Sequence, residues 1–137
     1  MALLDKMRRL CAAVNPDYLF EFENEKMMNV KADDDRFPVV FFEEYTESRY
    51  TSRFGWRKQT LVELSVFKLA PMHCNASVRE ALREEMESEF IIPLIGDLRA
   101  NSMFEEVTQV EAFPIPEAYD ANATGIMLRF WVTERVC

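Results

Sequence analysis

The chain has 137 residues, the size of one domain, and 49% of them are hydrophobic, which argues against intrinsic disorder. Its formal net charge of −8 disfavours non-specific binding to DNA or to an anionic membrane. No apolar run approaches the length of about 18 residues that a transmembrane helix needs, and charges interrupt the apolar N-terminus, so no signal peptide is expected. Three widely spaced cysteines, Cys11, Cys74 and Cys137, are not a disulfide framework and fit a reducing cytoplasm.

The first part of the chain predicts a helix, a short strand and a loop. Residues 2–14 repeat apolar side chains at helical spacing and end at Asn15-Pro16, which indicates an amphipathic helix packed on a core. Tyr18–Phe22 alternates and fits a short strand. Residues 23–36 are polar and acidic. Asp33-Asp34-Asp35 lacks the glycine and the ligand spacing of a calcium loop, so we expect a solvated loop there and no metal.

A basic segment follows the predicted buried strand Phe37–Phe42. Ser48–Lys58 has four basic residues and no acid, and aromatic side chains are interleaved with the charges. This composition is found in protein interfaces and in nucleic-acid contacts, and an exposed hairpin with ordinary flanking charges also fits it. The residues concerned are Arg49, Tyr50, Arg53, Phe54, Trp56, Arg57 and Lys58.

Gln59–Leu69 predicts the central strand of the sheet. Val62, Leu64 and Val66 share one fully apolar face, because strand side chains alternate. The odd positions from Leu61 to Leu69, Phe67 among them, form a second face with both polar and apolar side chains. We expect this face to be partly exposed to solvent or covered by a partner.

The strongest helix in the sequence follows this strand. Ser77-Val78-Arg79-Glu80 matches a capping box, and apolar side chains then recur to Phe90. The glutamates between them predict a solvated face rather than acid–base chemistry. Pro93 is expected to kink or end the helix, and Ile91–Leu98 to finish it as a bent last turn or two with Gly96 near the stop. The adjacent His73-Cys74 pair matches neither a zinc site nor an activated thiol.

The last part of the chain predicts two strands. Phe104–Ala112 is expected to end at Pro114 and Pro116, and Thr124–Glu134 is expected to be the last strand. Phe130 and the other even-numbered residues of this strand are expected to face the core. Met127, Arg129 and Trp131 then face outward, where they would suit a surface that binds a partner. We expect six residues to share one core: Leu64, Val66, Leu82, Met86, Leu128 and Phe130.

The order of elements predicts a single α+β domain over residues 1–137. Short links between consecutive strands favour antiparallel pairing. We therefore expect a mainly antiparallel sheet of four to five strands with two helices packed on one face.

The same order resembles the tail-terminator (minor tail protein U-like) proteins of long-tailed bacteriophages and their neck proteins. The resemblance covers most of residues 1–134. It rests on the N-terminal helix, FPVVFF after a polar loop, a long hairpin into QTLVELSVFKLAP, the helix SVREALREEMESEFIIPL and, most specifically, PEAYDANATGIMLRFWV.

The resemblance implies a structural virion protein without an active site or cofactor. Such proteins assemble in the host cytoplasm into a ring, commonly of six subunits, that caps the tail tube and meets the head-side connector or stopper. No membrane partner is expected, and any DNA contact would not be sequence-specific. The alternative is a small cytoplasmic protein–protein adaptor that uses its outer sheet face. An enzyme ranks third, since no catalytic set converges. The hypothetical interface comprises Arg49, Arg53, Phe54, Trp56, Arg57, Lys58, Phe67, Met127, Arg129 and Trp131.

Overall fold

The computed structural model describes residues 2–22, 37–43, 47–52, 55–71, 74–100, 103–118 and 123–136. Several predictions concern residues outside these ranges: the polar loop with Asp33–Asp35, the basic Arg53, Phe54, His73 and Cys137. The elements, in chain order, are α1 (Leu3–Val14), β1 (Leu19–Glu21), β2 (Val39–Phe42), β3 (Ser48–Thr51), β4 (Arg57–Leu69), α2 (Ala76–Met86), a π-helical turn (Glu87–Ile91), α3 (Ile92–Ala100), β5 (Glu106–Ala118) and β6 (Ala123–Arg135).

One mixed sheet carries the fold. Its strand order is β1-β2-β4-β6-β5, and β3 pairs with the first residues of β4. Only β1 and β2 pair in parallel; every other pairing among the described strands is antiparallel. This confirms the predicted α+β class, and the short strands β1 and β3 bring the sheet to six strands.

The core lies between the helices and one face of the sheet. β4 and β6 pair over thirteen residues, with Leu64 opposite Leu128 and Val62 opposite Phe130. These side chains are buried in one cluster with Met7 of α1 and with residues of the second helical run. Of the six residues expected to share the core, Leu64, Val66, Met86, Leu128 and Phe130 do. Leu82 does not; it is only half-buried, because α2 buries no residue before Met86.

The second helical run continues past Pro93 to Ala100. Proline has no N–H for the carbonyl four residues earlier, which here belongs to Glu89. The chain widens into the π-helical turn Glu87–Ile91 just before Pro93, and the Asn15 side chain donates a hydrogen bond to the Glu89 carbonyl (3.4 Å). Pro93 therefore distorts the helix as predicted, and the helix ends at Ala100, two residues beyond the expected Leu98.

Two further local predictions are wrong. The N-cap of α2 is Asn75, whose side chain accepts a hydrogen bond from the Val78 amide (3.1 Å), so Ser77 lies inside the helix. β5 runs through Pro114 and Pro116 instead of ending there. It does so because it is an edge strand, where a residue without an N–H can face away from the neighbouring strand.

Candidate interface on the outer sheet face and the hairpin

The face of the sheet that points away from the helices, called the outer face below, carries the odd positions of β4 and β6. Leu61 lies opposite Trp131, Glu63 opposite Arg129, and Ser65 opposite Met127. Arg129 and Trp131 are half-buried, as is Met127. The assignment of faces in the last strand is therefore as predicted.

Phe67 shares this face but offers no contact surface. It is 2% exposed and belongs to a small second cluster with Val39, Phe41 and Ala123. Its ring lies over Gly125, its partner on β6: a Cβ on that glycine would be 2.5 Å from Phe67 Cδ1. This burial removes Phe67 from the hypothetical interface. Gly125 inside a strand was the sequence signal for such close packing.

The hairpin formed by β3 and β4 covers part of Trp131. The guanidinium carbon of Arg49 lies 4.4 Å from the centre of the Trp131 ring, a cation–π contact. The same Arg49 pairs with Glu47 at 3.3 Å. Next to them is a depression of about 270 Å³, whose lining includes Glu111 and Arg129. The Trp131 surface is thus a shallow, charged groove rather than a flat apolar patch.

A second depression continues along the outer face. It measures about 310 Å³ and is lined by Glu43, Glu63, Ser65, Phe67, Phe113, Ile115 and Met127. Arg129 lines the first depression, and its guanidinium carbon lies 5.1 Å from the centre of the ring of Phe113, which lines the second. Both outward basic residues of this surface, Arg49 and Arg129, are therefore held by aromatic rings of the same chain.

The positive charge of the hairpin is partly neutralised within the chain. Arg57 forms an ion pair with Glu105, which precedes β5, and only 13% of the Arg57 side chain is exposed. Lys58 is half-buried and lies 6.0 Å from the centre of the Tyr50 ring. Arg57 thus has a structural role, which a local count of charges cannot show because Glu105 is distant in sequence.

The aromatic side chains of the hairpin are its most exposed large groups. Trp56 is 58% exposed and Tyr50 61%. Gly55, with φ of 98°, makes the left-handed turn that precedes Trp56. Tyr50 was named as part of the basic segment but not as an interface residue, and its exposure adds it to that set.

A polar cluster at the other end of β4 was not foreseen. Lys68 donates hydrogen bonds to Glu89 (2.8 Å) and Glu85 (3.0 Å) of the second helical run. Burial alone would lower the pKa of Lys68, but these two bonds outweigh it and raise that pKa. Burial also raises the pKa of Tyr18 to about 12, partly offset by the positive charge of Lys68. This cluster joins the second helical run to the end of the central strand β4.

Burial raises the pKa of the Cys11 thiol to about 12 as well. Cys11 and Cys74 are both free thiols, the first buried and the second half-buried. Among the residues that the structure describes, no three His, Cys, Asp or Glu side chains are grouped so that they could hold a metal ion.

No protein-family model and no curated protein matches the sequence. None of the helices formed by the described residues is long and apolar enough to cross a membrane.

Proposed function

We propose that this protein is a structural subunit of the tail or neck of a long-tailed bacteriophage. In this proposal, copies of the chain form a ring, of six subunits in the related proteins, that caps the tail tube and joins it to the head-side connector or stopper. The protein then acts in the virion after assembly in the bacterial cytoplasm. The order of elements supports this through the resemblance to tail-terminator proteins.

One observation carries the proposal. The β3–β4 hairpin presents Tyr50 and Trp56 to solvent, 61% and 58% exposed, at one end of the sheet. Large aromatic side chains of this kind are enriched among the residues that dominate binding energy in protein interfaces. The adjoining outer face adds Arg129 and Trp131, both half-buried. Together they form a surface suited to a protein partner.

The proposed interface differs from the one expected from the sequence. It excludes Phe67, which is buried, and Arg57, which is paired with Glu105. It keeps as candidates Arg53 and Phe54, which lie outside the described residues. The described members are Arg49, Tyr50, Trp56, Lys58, Met127, Arg129 and Trp131.

The experiment is to measure the mass of the native particle by light scattering over a range of concentrations, with electron microscopy of the same samples. Rings are expected for the wild-type protein, alone or on purified tail tubes. Trp56→Ala should weaken association by about 2 kcal/mol or more, roughly thirtyfold, because it removes an exposed aromatic anchor.

The matched control is Val78→Ser. Val78 is 39% exposed and lies on α2, beyond the opposite end of β4, so this variant should assemble like wild type. A protein that stays monomeric at every concentration and does not cap tail tubes would contradict the ring and favour the adaptor function.

A further inference from the structure

Among the residues that the structure describes, the sheet has four strands at the hairpin end, and its two edges there are β3 and β5. Across this end the order is β3-β4-β6-β5, since Thr51 pairs with Arg57, Arg57 with Arg135, and Glu106 with Thr133. Within the described part of the chain, β3 pairs only with β4, and β5 only with β6. Both edges therefore present backbone groups to whatever lies beside them.

The backbone of β3 directs specific groups outward. The Leu61 amide donates to the Glu47 carbonyl (3.0 Å), which makes these two residues a hydrogen-bonded pair in the register of β3 and β4. Hydrogen-bonded pairs alternate along an antiparallel ladder, so Arg49 and Thr51 also bond to β4. Ser48 and Tyr50 then point their N–H and C=O groups away from β4, toward the open edge.

Near the hairpin end, β5 pairs with β6 in an unbroken register from Glu106 to Thr108. Its later part contains Pro114 and Pro116, and an irregularity in pairing lies between Thr108 and Glu111, where Gln109 has a φ of 54°. Prolines and bulges both protect an edge from pairing with another strand. The stretch Glu106–Thr108 has neither feature, and it nearly matches the four residues of β3 in length.

The two chain segments that contain these edges have opposite charge. Residues 48–58 hold four basic residues and no acid, whereas residues 103–118 hold four acids and no basic residue. Within one chain, the ion pair between Arg57 and Glu105 neutralises one charge of the basic segment and one charge of the acidic segment. Arg49, which also contacts Glu47 and the Trp131 ring within its own chain, and Glu106 lie on the same face of the sheet, since they align with Gln59 and Thr133 of the outer face.

We propose that β3 of one copy pairs antiparallel with Glu106–Thr108 of β5 in the next copy. The four strands alternate in direction, so β5 of one copy and β3 of the next run in opposite directions when the sheets continue with the same face outward. A contact between two different edges is head-to-tail, the kind that closes into a ring. This inference rests on the proposed self-association and specifies the surfaces that join.

Cross-linking tests the pairing directly. In a Cys74→Ser, Cys137→Ser background, Thr51→Cys and Thr108→Cys are combined and treated with a short bismaleimide that spans diagonal strand neighbours about 7–8 Å apart. Within one copy these positions are three strand spacings apart across the sheet, about 14 Å, and four residues apart along it, so the reagent cannot join them. The double variant should give a ladder of covalent multimers, and neither single variant should.

The outcomes separate this inference from the proposed function. Covalent dimers of the Thr51→Cys variant alone would show β3 paired with β3 and overturn the head-to-tail contact. Rings by microscopy without cross-links in the double variant would overturn the strand pairing and leave the ring intact. Absence of any ring or tube cap would overturn both.

A backbone variant gives a second measurement. Tyr50→Pro removes the outward N–H, while Tyr50→Ala removes the ring and keeps the N–H. If the edges pair, Tyr50→Pro should assemble about tenfold more weakly than Tyr50→Ala, with unchanged helix and strand content by circular dichroism. Equal association of the two variants would overturn the role of this amide.

Discussion

Gly125 shows how one residue fixes the outer face. A methyl group there would lie 2.3 Å from the Val66 carbonyl oxygen and 2.5 Å from Phe67 Cδ1. Backbone atoms of the central strand cannot move aside cheaply. The glycine thus allows Phe67 to lie flat on β6, which buries an aromatic side chain on the face of the sheet that points away from the described helices.

Gly125→Ala should destabilise the protein by about 1–3 kcal/mol, the usual cost of overpacking a core. Gly96→Ala is the matched control. Gly96 lies in α3 with no atom within 4 Å of an added Cβ, so this change should stabilise by up to about 1 kcal/mol through helix propensity. Urea midpoints of the two variants check both signs; a Gly125→Ala midpoint equal to that of wild type would contradict the close approach.

Tyr18 links stability to alkaline pH. Burial raises the pKa of its hydroxyl from 10.0 to about 12. Because the folded-state pKa is the higher one, folding keeps this proton bound, and the stabilisation is complete below pH 10 and lost as the pH rises through about 12. Tyr18→Phe should therefore lose less stability than wild type between these pH values, as measured by urea unfolding.

At the scale of elements, the repeating spacing of apolar side chains correctly predicted the long helices and strands. α1, β4 and β6 are long, and their apolar spacing repeats several times, so one or two unusual residues do not hide the pattern. Details set by a single residue were missed or misassigned. The prolines of β5 look like strand ends unless the strand is known to lie at an edge. Similarly, Asn75 and Ser77 are both acceptable caps, and local sequence does not choose between them.

The cap of α2 gives a test at this scale. Asn75→Ala should cost about 1 kcal/mol of stability, because the Val78 amide loses its acceptor. Ser77→Ala should change stability by less than about 0.5 kcal/mol, since Ser77 is exposed inside the first turn. Thermal unfolding of both variants decides the matter. A larger effect at Ser77 would support the capping box expected from the sequence.

At the scale of the molecule, the sequence identified the candidate surface but did not show which side chains its charged residues contact. The alternation along β6 correctly placed Trp131 opposite the core, and the basic segment did form a hairpin. The sequence could not show that Arg49 covers Trp131 or that Arg57 pairs with Glu105, since each contact crosses the sheet between residues far apart in the chain. The sequence did not show that Phe67 is buried, for the same reason. Its burial depends on Gly125 of β6, which is its neighbour in the sheet but is far from it in the chain.

The hairpin tip tests whether assembly and folding are separable in this molecule. Thr51 and Arg57 form the last pair of β3 and β4, and Trp56, next to that pair, is largely exposed. Replacing residues 52–56 by Asn-Gly closes the same ladder with a two-residue turn, the connection that suits strand twist best. The variant keeps every buried residue of the main core, so its melting temperature should change by only a few degrees. It loses Arg53, Phe54 and Trp56, and should therefore remain monomeric where wild type forms rings, as measured by light scattering. Normal rings from this variant would restrict the interface to the outer face and the strand edges; unfolding would show that the tip supports the domain itself.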